Sequence, residues 1–97
     1  MVIVGGTFEV DPAEREQFIA DRVAMMRTSR AEDGCLEYTL AADPVEPGRV
    51  VLFERWASQE ALDAHAAGMR ANPPATGTVK PTSVSIAVYD VSGERPL

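Results

Sequence analysis

Six segments of regular hydrophobic period follow one another along this chain, and their order limits the fold more than any single residue does. Residues 2–10 place Val2, Val4, Phe8 and Val10 on one parity, the two-residue period of a strand. "DPAERE" then reads as a helix start, with Asp11 as N-cap, Pro12 at the first helical position and Glu14 set for a capping box. Phe18, Ile19, Val23, Met25 and Met26 continue at helical spacing, so one helix is expected to about Arg30, broken near Gly34. "CLEYTLAAD" alternates, with Leu36, Tyr38 and Leu40 on one face and Cys35, Glu37 and Thr39 on the other. After the turn "PVEPG", "RVVLFERW" is a third strand. Ser58 caps a second helix, "QEALDAHAAGMR", which stops at Asn72-Pro73-Pro74. "SVSIAVYDV" is the fourth strand.

The order β-α-β-β-α-β, with right-handed crossovers, predicts a ferredoxin-like α+β fold: an antiparallel sheet with two helices on one face. No linker or repeat divides the chain, so residues 1–97 are read as one domain, with 92–97 a tail that is either free or in contact with a partner. The third strand adds a constraint. Val50, Leu52 and Trp56 share one parity and Val51 and Phe53 the other, so both faces need cover. Helices cover only one. A second copy packed sheet to sheet is the simplest cover for the other, which predicts a homodimer.

Charge narrows the partners. With a net charge of −6 and a single lysine, Lys80, the chain lacks the clustered cations that nucleic acid or an anionic membrane would need. No apolar run approaches the ~20 residues of a membrane span. "MVIVGGTFEV" has no basic n-region or cleavage site, so no signal peptide is expected there. One cysteine, Cys35, cannot form an internal disulfide, which fits a cytoplasmic protein.

On the second helix Ala61, Leu62, His65, Ala66 and Met69 form one inward stripe, so His65 faces the sheet. Two readings of it stay open: a hydrogen-bonded core residue, or a general acid/base working near neutral pH. Glu54 shares parity with Leu52 and Trp56; a carboxylate on an apolar face must be paired or protonated. One histidine and one cysteine make no zinc pattern, and no metal ligand set or cofactor fingerprint is present. Gly5-Gly6 reads as close backbone packing, Ser58 as a cap, Met25-Met26 as core filler and Cys35 as a small buried hydrophobe.

The stretch "EDGCLEYTLAADPVEPGRVVLFERWASQEALDAH", residues 32–65, resembles the antibiotic biosynthesis monooxygenase family. The shared residues are Gly34-Cys35-Leu36 with Tyr38, Glu54-x-Trp56, Ser58, Glu60-Ala61-Leu62 and His65. The resemblance implies a dimeric α+β barrel with a pocket between sheet and helices. It also implies oxygenation of a small aromatic, phenolic or quinol-like metabolite with no cofactor. His65 would be catalytic, with Trp56, Tyr38, Glu54, Leu62 and Met69 around the ligand. "AAGMRANPP" lacks the second histidine that many members carry there. Gly5, Gly6 and Thr7 stand where the haem-degrading branch has an asparagine, which argues against that chemistry. A dimeric module that binds a small ligand, or merely assembles, without catalysis is the other reading. An open cavity of hundreds of Å³ would favour the enzyme. Filling by Leu62, Met69, Phe18 and Met26 would favour the module. Residues 73–83 are a lid or an ordinary connection.

Overall fold

A computed structural model describes all 97 residues. Strands β1 (Val2–Glu9), β2 (Cys35–Ala42), β3 (Arg49–Trp56) and β4 (Ser83–Asp90) form one antiparallel sheet in the order β2-β3-β1-β4. Helices α1 (Arg15–Ala20), α2 (Val23–Arg30) and α3 (Gln59–Ala71) complete the ferredoxin-like fold. No helix is long and apolar enough to cross a membrane.

The register sets which side chains meet. Val4 lies between Glu54 on β3 and Val88 on β4, and Tyr38 on β2 lies opposite Glu54. Period-two alternation therefore sends Val2, Val4, Tyr38, Leu40, Val50, Leu52, Glu54 and Trp56 into the interior. Phe18 and Met26 enter the same core from the helices. Phe18 and Trp56 are fully buried, and burial of each side chain contributes on the order of 2–3 kcal/mol.

Gly6 answers a demand of the sheet. A Cβ there would collide with the carbonyl oxygen of Ser85 and lie 2.7 Å from Ile86 Cα, so only glycine lets β4 pair this closely.

The first helix departs from expectation. Asp11 accepts a hydrogen bond from Ala13 N at 2.9 Å, but the cap opens a 3₁₀ turn over Pro12–Glu14, and α1 ends at Ala20. The break has a visible cause in Arg22. Its guanidinium folds back to donate to Phe18 O at 2.9 Å and lies 3.6 Å over the Phe18 ring. Phe18 O is the acceptor a continuous helix would offer to Arg22 N, which donates instead to Ile19 O.

Strand β2 carries a second departure. A bulge between Cys35 and Glu37 leaves Leu36 without a partner on β3, so Leu36 is exposed rather than in the core. Cys35 packs part-buried against the core, and burial raises its thiol pKa.

Cover is uneven on both sides of the sheet. All of β4 is exposed, including Val84, Ile86 and Val88 on the helix side. On the opposite side Val51 (40%) and Phe53 (36%) lie open, with Tyr89 beside them.

Candidate active site

The site begins at a turn. Gly34, with φ +79°, takes a left-handed conformation that suits glycine, and it closes the α2–β2 connection against the start of α3. Its carbonyl accepts from Ala57 N at 2.8 Å, and a Cβ on it would stand 2.5 Å from the Ala61 methyl. Ser58 caps α3 by accepting from Ala61 N at 3.1 Å, as its sequence position implies. The turn is thus seated on the first turn of α3, and Glu32 comes alongside His65 one helical turn further on.

His65 is 6% exposed. Its Nδ1 lies 3.0 and 3.1 Å from the two oxygens of Glu32, the ring's sole protein hydrogen-bond partner. Trp56 packs against one side, ring centroids 4.7 Å apart and planes tilted by 36°. The Tyr38 ring stands 5.6 Å away. Trp56 Nε1 donates to Glu54 Oε1 at 2.9 Å, so the buried carboxylate is satisfied by an uncharged donor.

Burial shifts two of these groups, Tyr38 and Glu54. It pushes the Tyr38 phenol far above its ordinary pKa, and the nearby Glu54 and Glu32 carboxylates push the same way. Burial also raises Glu54, against the opposing pull of the Trp56 N–H and of His65.

A cavity of about 490 Å³ opens between α3 and the sheet. Tyr38, Glu54 and His65 supply polar wall, with Gln59 and Asp63. Leu62, Ala66 and Met69 from α3 and Val4 and Val88 from the sheet supply apolar wall. The cavity opens where β4 lacks a covering helix. Phe18 and Met26 do not fill it; they lie in the core.

Five of the six residues singled out from sequence line this cavity: His65, Tyr38, Glu54, Leu62 and Met69. Trp56 does not. At 0% exposure it stands behind the wall, holding Glu54 by its N–H and His65 by its ring. Strand parity groups it with Glu54 without saying which side of the sheet they share, and at the end of β3 Trp56 is wholly buried. Glu32 was missed. The signal in sequence is the turn "EDG", in which Glu32 and Asp33 lead into Gly34 and mark a tight approach without saying to what.

Residues 73–83 are tied at both ends. Arg22 donates to Thr76 O at 3.2 Å, and Thr82 N donates to Glu9 O at 2.7 Å. No group of three or more His, Cys, Asp or Glu side chains is placed to hold a metal ion. The middle of β1 offers the cavity no ligand either: Gly6 has no side chain, and Gly5 and Thr7 share the opposite face with Phe53 and Val51.

A family model for antibiotic biosynthesis monooxygenases matches residues 1–69. The chain belongs to this family. Among its relatives, "Putative monooxygenase Rv0793" of Mycobacterium tuberculosis is 42% identical over 64 residues, which are 66% of this chain and 62% of that protein. The solved structure of Rv0793 superposes with a TM-score of 0.71 at 33% identity, over 98% of each chain. A Deinococcus radiodurans structure described as a putative antibiotic biosynthesis monooxygenase shares the fold, with a TM-score of 0.79 at 22% identity, over 100% of this chain and 98% of that one. The uncharacterised protein sll1783 of Synechocystis is 36% identical over 64 residues, 66% of this chain and only 44% of its own length. The match thus spans less than half of sll1783 and under two-thirds of Rv0793 in the sequence alignment.

Proposed function

We propose that this chain is a cofactor-independent monooxygenase of a small phenolic or quinol-like metabolite, with the α3 cavity as substrate site and His65 as acid/base. One observation carries the reading. Of the four titratable groups in the cavity wall, Asp63 is exposed and accepts from Gln59, and among the other three only His65 offers an uncommitted nitrogen that can take a proton. Tyr38 is held in its neutral phenol form. Glu54 Oε1 is occupied by the Trp56 N–H. His65 has one ring nitrogen engaged by Glu32 and the other, Nε2, without a protein partner.

The chemistry balances without a cofactor. Nε2 takes the phenol proton, and the electron-rich phenolate passes one electron to dioxygen. Radical recombination at a ring carbon forms the C–O bond of a peroxide, which the imidazolium protonates. Loss of the carbon-bound hydrogen with the terminal hydroxyl releases water and leaves a quinone carbonyl. The substrate supplies all the electrons: phenol plus O₂ gives quinone plus water. The protein binds, takes and returns one proton, and excludes bulk water.

The relatives' monooxygenase names and the open apolar cavity support this reading over a non-catalytic module. The bare apolar patch on the outer sheet face supports a second copy as its cover, forming a homodimer sheet to sheet. Phenol-dependent oxygen uptake, measured by oxygen electrode over a panel of phenols and hydroquinones, tests the activity. One O₂ consumed per quinone formed, abolished in His65→Ala, is the expected result. Uptake that survives in His65→Ala, or uptake absent across the panel, contradicts it.

A further inference from the structure

Glu32 stands outside the substrate cavity. It borders a second cavity of about 450 Å³ between α2 and α3, walled by Met25, Ser29, Met69 and the turn at Pro73-Pro74. Only His65 and Met69 face both cavities, so the imidazole is part of the partition between them.

We propose that Glu32 is the positioning residue for His65, working from this second cavity, and that a small exogenous carboxylate entering there can replace it. The proposal rests on His65 as the acid/base. A free imidazole shares its proton between two nitrogens. A carboxylate within 3.0 and 3.1 Å of Nδ1 holds the proton at that nitrogen and leaves the Nε2 lone pair for the substrate. When Nε2 takes a proton, the same carboxylate faces the new imidazolium charge, an attraction strengthened where water is thin. Glu54 is not equivalent, because Trp56 already donates to it. Glu32 has no side-chain partner other than His65 and is 34% exposed, so its place is reachable from outside without passing through the substrate.

The single histidine makes the test direct. Nitrogen-15 NMR of the intact protein reads which ring nitrogen carries the proton, whether or not a substrate is known. The proton is expected on Nδ1 in the wild type, shifted toward the free-imidazole mixture in Glu32→Ala, and returned to Nδ1 by formate in a saturable manner. In turnover, kcat should fall roughly 100-fold with KM for the phenol unchanged, since Glu32 does not line the substrate cavity, and formate should restore kcat. A wild-type ring protonated on Nε2, a tautomer indifferent to the substitution, or a variant deaf to formate overturns the proposal. If Glu32→Ala does not fold, Glu32→Gln keeps the shape and carries the tautomer measurement alone. A tautomer that behaves as expected in a protein that oxidises no phenol sinks the oxygenase reading and leaves the positioning role standing.

Discussion

Replacing Gly34 by alanine should be costly for the fold and for the site. Two effects combine. At φ +79° a residue with a Cβ costs roughly 1–2 kcal/mol relative to glycine. The new methyl would also stand 2.5 Å from the Ala61 methyl, well inside contact distance, so the α2–β2 turn must retreat from α3. Retreat stretches the Ala57 N–H to Gly34 O bond, worth about 1 kcal/mol. The sum is about 2–4 kcal/mol, or a melting temperature lower by about 10–30 °C for a domain of this size. Urea and thermal unfolding measure it, and the double variant Gly34→Ala/Ala61→Gly separates the parts. Removing the Ala61 methyl should relieve the clash but not the backbone strain, giving a coupling of about 1 kcal/mol. A Gly34→Ala protein within about 0.5 kcal/mol of wild type would refute the reasoning, and with it the account of how Glu32 is brought to His65.

Three further outcomes are expected. Phe18→Ala empties a fully buried site and leaves the Arg22 guanidinium without its ring, so stability should drop by about 3–5 kcal/mol in urea titration. Glu54 has a raised pKa in the folded protein, so between its ordinary and its raised value the folded state holds more protons than the unfolded one. Its contribution is therefore favourable at low pH and lost as pH rises through the folded pKa. Glu54→Gln keeps an acceptor for Trp56 Nε1 and removes the charge, so it should exceed wild type in stability at neutral pH and lose that advantage under acid. Unfolding titrations from about pH 4 to about pH 8 check the sign. Phe53→Glu, on the bare outer face, tests the proposed homodimer: wild type should sediment as a dimer and the variant as a folded monomer.

Strand β3 and helix α3 were legible because their signals are local. An apolar run from Val50 to Phe53, preceded by a Pro-Gly turn, marks the strand, and Ser58 followed by Gln59-Glu60-Ala61-Leu62 marks the helix start. The topology followed from the order of periods. The rest depended on side chains that act across sequence distance. Nothing in the spacing of Phe18 through Met26 says that Arg22 will turn back onto Phe18 and take its carbonyl. The bulge that ejects Leu36 is a property of the β2–β3 pairing rather than of the alternation in either strand. Helical periodicity located His65 on an inward stripe, and parity put Glu54 and Trp56 on one face of their strand; the β2–β3 register adds Tyr38 to that face. Depth decides which of them meets a ligand, and depth comes from how far α3 reaches over the sheet. Glu32 was the hardest to foresee: its partner lies 33 residues away, and the seating of the Gly34 turn on Ala57 and Ala61 brings them together.

The most direct test of the central claim is the NMR titration of His65 with and without a panel of phenols and hydroquinones. The account predicts ring signals that shift when a compound binds, together with the methyls of Leu62, Met69 and Val88 that share its cavity. A ring silent to every compound, and to pH across the neutral range, would make His65 a locked core residue and contradict the assignment of this cavity as an active site.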